Sequence, residues 1–135
     1  MIGGFLTKRT IGGLTETKIK ISNTTNMELK NTKISPHGEG LERLNDEQED
    51  AHLKQLDNWN INRKNEQHIL NKTFQFNSFN ESINFTNKIA ELANKENHHP
   101  NILIYFKKVI LELTTHHVQG LTLNDFIMAV KIDEI

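Results

Sequence analysis

The sequence predicts an α+β fold in two layers, a four-stranded antiparallel sheet with three helices on one face, ordered α-β-β-α-β-β-α. Three observations predict it. Two segments open with a capping residue followed three positions later by a side chain that can bond back to the backbone, a helix-start signature. Runs rich in β-branched and aromatic residues lie between them, paired about polar turns. One long segment with helical apolar spacing separates the strand pairs and stops just before Pro100.

The first helix is expected in "LNDEQEDAHLKQL". Asn45 caps it, Gln48 completes a capping box, and Ala51, Leu53 and Leu56 form a partial apolar face. Trp59 and Ile61 then read as a short strand and "NRKNE" as a polar turn. "HILNKTFQF" is the second strand, with Leu70, Phe74 and Phe76 on one parity, so the pair forms a hairpin. In "SFNESINFTNKIAELANK", Phe79, Ile83, Ala90 and Ala93 fall near helical spacing, joined by Ile89 and Leu92. Pro100 disfavours the helical region at His99, so this helix should end near Asn97.

"NILIYFKKVILELTTHH" supplies the remaining two strands, with a turn expected near Lys107-Lys108. Val109, Leu111 and Leu113 share one face; Ile110, Glu112, Thr114 and His116 share the other. Gly120 breaks the run. Thr122 and Asp125 then open the last helix, "LNDFIMAVKI".

The domain is expected over residues 41–135, after a flexible extension over 1–40, within a chain of 135 residues. The start, "MIGGFLTKRTIGGLTETKIKISNTTN", has glycine pairs and many threonines but no helical period. Lys8, Arg9, Lys18 and Lys20 outnumber Glu16, a bias shared with organellar transit peptides; a secretory signal is unsupported because the apolar region is missing. Met1 and Met27 are both candidate starts. A cytoplasmic protein is the expectation.

Composition narrows the function. The net charge is -1 with charges interspersed, and no basic stripe calls for nucleic acid. No apolar run reaches membrane-spanning length. Without cysteine, disulfides and thiol catalysis are excluded, and a common zinc ligand is missing.

Four of the seven histidines sit in two doublets, "KENHHP" with His98 and His99, and "LTTHH" with His116 and His117. The first doublet follows a helix C-terminus, whose partial negative charge suits an imidazolium. Free imidazole titrates near neutral pH and makes a good acid or base. Histidines from a helix end and a strand end can therefore converge on one small molecule. Three other readings stand beside this. Each histidine is a surface residue; the doublets bind a metal, although adjacent histidines rarely reach one ion; or Asp125 serves only as the acidic end of a capping box. Trp59 reads as a core or edge residue rather than a stacking platform.

The run "NHHPNILIYFKKVILELTTHHVQGLTLNDF" resembles pterin-4a-carbinolamine dehydratase. The family pattern falls without a gap on His98, His99, Pro100, Phe106, Thr115, His116, Gly120, Leu121, Thr122 and Asp125. The likeness extends upstream through "LNDEQEDAHLKQLDNWN" and "FQFNSFNESINFTNKIAELA", covering about Leu41 to Ile135.

The resemblance implies a hydro-lyase that dehydrates 4a-hydroxytetrahydropterin to quinonoid dihydropterin, recycling the pterin of aromatic amino acid hydroxylases. It implies no metal and no redox cofactor, and a homodimer or homotetramer. By resemblance His98 and His116 are the acid/base pair and His99 orients the pterin. Asn97–His99 and Thr114–His117 line its pocket, with Thr115 among them. Asn94, Asp125 and Trp59 are supporting residues. Where the family commonly has a glutamate one helical turn before His98, this chain has Asn94; His117 replaces what is often an acidic or small residue. The alternative is a catalytically weak member acting as a binding or oligomer-assembly module.

Overall fold

The computed structural model describes residues 29, 31–35 and 40–135. The transit-like bias and both candidate starts lie outside the described residues. From residue 40 onward the chain forms α1 (Asp46–Leu53), β1 (Asn60–Asn62), β2 (Ile69–Gln75), α2 (Phe79–Glu96), β3 (Asn101–Tyr105), β4 (Lys108–Leu113) and α3 (Leu123–Asp133). All strand pairs are antiparallel in the order β1-β2-β4-β3. This is the α+β fold the sequence predicts. No helix among the described residues is long and apolar enough to cross a membrane.

Strand pairing puts the apolar parities together. Leu70 lies opposite Leu113, Phe74 opposite Val109, and Ile102 opposite Leu111. Leu70, Val109, Leu111 and Leu113 are fully buried and cluster with Ile89 and Ala93 of α2 and with Phe126, Ile127 and Val130 of α3. Burying each such side chain contributes about 1.5–3 kcal/mol. α3 is buried along nearly its whole length, from Asn124 to Val130 and at Ile132.

Several details differ from the sequence reading. The face α2 buries carries Ser82, Ile89 and Ala93, with Phe85 partly buried, while Phe79 and Ala90 are exposed. A serine fits there because its hydroxyl bonds back to the Ser78 carbonyl at 3.4 Å, and small residues allow close approach to the sheet. α1 buries Glu49, whereas Ala51 is exposed. The β3–β4 turn occupies Phe106 and Lys107, one residue earlier than expected, with Phe106 in the left-handed region at φ 51. β4 ends at Leu113, so His116 is not on a strand; it opens a 3-10 turn over His116–Val118. The reason is local. Thr115 and Gly120 exchange two backbone hydrogen bonds and fold the chain back.

Residues 29 and 31–35, expected within the extension, pack against the domain. Leu29 is 4% exposed within the core and Ile34 packs beside it. The Ser35 N–H donates to Asn124 Oδ1 at 3.0 Å, and Asn124 Nδ2 donates to the Ser35 carbonyl at 2.9 Å. This exchange satisfies an amide that is otherwise buried at the start of α3.

Candidate active site

The site forms where α2 ends and β4 ends. Asn97 adopts the left-handed conformation (φ 55, ψ 41) that terminates helices, and the N–H groups of Asn97 and His98 both return to the Ala93 carbonyl. Pro100 then starts the run into β3. This abrupt stop turns His98 and His99 toward the Thr114–His117 segment. Asn97, His98, His99, Thr114, Thr115, His116 and His117 line a single cavity of about 410 Å³. The cavity thus unites both histidine doublets.

Asp125, at the start of α3, lies behind this cavity and is fully buried. Its Oδ2 accepts from the Thr122 N–H at 3.0 Å and from the Thr115 hydroxyl at 2.7 Å. The Thr122 hydroxyl lies 2.9 Å from that of Thr115. Asp125 Oδ1 lies 2.7 Å from His98 Nε2. The residue is therefore both the acidic end of a capping box and the partner of His98. Two fixed donors suit a carboxylate, which can only accept, so the proton between Oδ1 and His98 belongs on Nε2. His98 is left with Nδ1 as its exchangeable nitrogen.

The carboxylate beside His98 thus comes from α3, not from one helical turn back along α2. Asn94 turns to the other histidine, its Oδ1 accepting from His99 Nε2 at 3.0 Å. Trp59 lies away from the cavity. It is 4% exposed in the core, and its indole N–H donates to Asp133 Oδ2 at 2.9 Å.

Two groups near the site carry no motif. Gln67 Nε2 lies 3.4 Å from both His116 Nδ1 and Thr114 Oγ1. Gln67 stands two residues before β2, in the turn whose His68 carbonyl accepts from the Thr114 hydroxyl just past β4. No sequence signal marks it, because Gln67 and His116 both lie outside the strands. The second group is Glu49, fully buried, whose two oxygens lie 3.1 and 3.0 Å from His68 Nδ1. Arg63 donates to Glu49 Oε1 at 3.0 Å and to Asp50 at 2.7 Å. Asp46, Glu49 and His68 bring potential metal-ligand atoms within 4.8 Å of one another. Arg63 already supplies positive charge there, so the cluster reads as an anchor for the β1–β2 hairpin.

Comparison with known proteins identifies the family. Residues 42–135 match the family model described as pterin 4 alpha carbinolamine dehydratase. A protein of Sulfurisphaera tokodaii named "Putative pterin-4-alpha-carbinolamine dehydratase" is 37% identical over 95 residues, covering 70% of this chain and 98% of that protein. A Chlorobium luteolum protein of the same name is 38% identical over 108 residues, covering 80% of this chain and 95% of that one. Among solved structures, a transcriptional coactivator/pterin dehydratase from Brucella melitensis superposes with a TM-score of 0.63 at 29% identity. That match covers 68% of this chain and 96% of the other. A family model spanning the fold and every residue of the cavity, with relatives matched over nearly their full length, places this chain in the pterin-4a-carbinolamine dehydratase family.

Proposed function

We propose that the chain dehydrates 4a-hydroxytetrahydropterin to quinonoid dihydropterin. The observation that carries this reading is the convergence of His98, His99 and His116 on one cavity, with the buried Asp125 behind His98. The reaction breaks the C4a–O bond, and the departing hydroxide takes a proton to leave as water. The N5 electron pair forms the C4a–N5 double bond, and the N5 proton passes to a base. No electrons are gained or lost overall. His98 and His116 share the two proton transfers, each typically worth about 10²–10⁴-fold. His99, held by Asn94, orients the ring. The product feeds the pterin cycle of an aromatic amino acid hydroxylase, and a homo-oligomer belongs to the same reading. The exposed Ile104 and Tyr105 on the edge strand β3 favour that assembly.

A second reading is a binding or assembly module with weak catalysis. It draws on the description of the Brucella protein as a transcriptional coactivator and on the exposed Tyr105 and Phe106, 55% and 66% accessible. An assay following the decay of chemically prepared 4a-hydroxytetrahydropterin separates the two. Acceleration over the spontaneous rate supports the enzyme; none, with the protein folded, leaves the module.

A further inference from the structure

We infer that Gln67 is a positioning residue that fixes the proton of neutral His116 on Nε2, making His116 the hydrogen-bond donor of the cavity. The argument is one of donor and acceptor counting. Thr114 Oγ1 lies 2.9 Å from the His68 carbonyl and 3.3 Å from the Gly120 carbonyl. Its single proton goes to one of these, because a carbonyl can only accept. Its oxygen is then left as an acceptor toward Gln67, 3.4 Å away. The Gln67 amide must therefore turn its NH₂ group to Thr114. The reverse orientation would set the amide oxygen against a hydroxyl whose proton is already used. The same NH₂ group, with its second N–H, faces His116 Nδ1 at 3.4 Å. A ring nitrogen facing a donor must accept, so the proton of neutral His116 resides on Nε2.

The hairpin holds Gln67 in place. The next residue, His68, is gripped through Nδ1 by the buried Glu49, which also takes Arg63. The His68 carbonyl ties the same turn to Thr114 at the end of β4. Gln67 thus sits in a turn tied both to Glu49 and to Thr114.

Resting on the dehydratase reading, this assigns the two proton tasks. Neutral His116 hydrogen-bonds the departing 4a-hydroxyl through Nε2–H, and passes a proton to it only from the doubly protonated ring, which is left neutral. His98, whose Nε2–H is committed to Asp125, offers the lone pair of Nδ1 to the N5 proton. Gln67 and Asp125 therefore orient the two rings in opposite chemical senses.

The test is long-range ¹H–¹⁵N correlation of the histidine rings in the full-length protein at about pH 8, above the ordinary histidine titration. His116→Ala identifies the His116 signals. The expected result is Nδ1 bare and Nε2 protonated in the wild type, a tautomer mixture in Gln67→Leu, and the proton moved to Nδ1 in Gln67→Glu, whose carboxylate accepts. Gln67→Leu should also lower kcat about tenfold with little change in KM, the scale of one lost orienting hydrogen bond. A proton on Nδ1 in the wild type overturns the inference, as does the same ring pattern in wild type and Gln67→Leu. If the tautomers respond as expected but no dehydration occurs, the role of Gln67 stands and the dehydratase reading falls.

Discussion

Replacing Asp125 with asparagine isolates the partner of His98 with little change of shape. The fully buried Asp125 uses Oδ2 for the Thr122 N–H and the Thr115 hydroxyl, and Oδ1 for His98 Nε2 at 2.7 Å. An asparagine oxygen can take over the Oδ2 contacts and keep the α3 cap. Its NH₂ group then faces His98 Nε2, donor against donor. The ring must move its proton to Nδ1 and lose the lone pair proposed to act on the pterin. A hydrogen bond to a charged group is worth about 1.5–3 kcal/mol. At about 1.36 kcal/mol per decade, Asp125→Asn should lower kcat roughly ten- to hundredfold. Steady-state dehydration kinetics, with a thermal melt to confirm folding, provides the assay. A folded Asp125→Asn protein with wild-type kcat would refute the idea that Asp125 orients His98.

Other perturbations probe separate parts of the account. His99→Ala and Asn94→Ala should both raise KM, by up to about tenfold for one lost hydrogen bond, while kcat changes little; a loss confined to kcat contradicts a binding role for this pair. Leu29→Ala should cost about 2–5 kcal/mol in urea unfolding if the segment before the domain belongs to its core; a change within about 0.5 kcal/mol, typical of surface sites, would contradict that packing. His52, its ring 5.2 Å from that of Phe126, has its pKa lowered by desolvation on burial. Its folded pKa lies below the unfolded value near 6.5, so its contribution is complete above that pH and is lost as pH falls toward the folded pKa. Stability measured across that acidic window should fall less steeply in His52→Leu, and identical slopes would show that His52 does not contribute.

The parts of the fold legible in the sequence were those set by short-range rules. The Asn45–Gln48 and Thr122–Asp125 spacings marked real helix starts, and the alternation of Val109, Leu111 and Leu113 marked a buried strand face. Pro100 marked the end of α2 to within a residue. What escaped depends on partners distant in the chain. Glu49 reads as a surface charge until Arg63 and His68 are folded onto it. Ser82 reads as polar, although its hydroxyl is satisfied within its own helix and its small volume suits the sheet. Asn94 looked like a neighbour of His98 by helical spacing, but the left-handed residue Asn97 breaks that spacing, and the side chain meets His99 instead. The two doublets were visible as motifs, whereas the roles of Asp125 and Gln67 required the orientation of α3 and the fold of the turn before β2 against the end of β4.

The central claim, that histidine proton transfer in this cavity dehydrates a pterin, is tested most directly by a single-turnover measurement. Chemically prepared 4a-hydroxytetrahydropterin would be mixed with excess wild-type protein, with His98→Ala, with His116→Ala or with the double variant, and formation of quinonoid dihydropterin followed optically. Wild-type protein should form product faster than the spontaneous reaction. Each single change should slow it by at least about tenfold, with the double variant slower than either. A folded double variant that turns the pterin over at the wild-type rate would contradict the account.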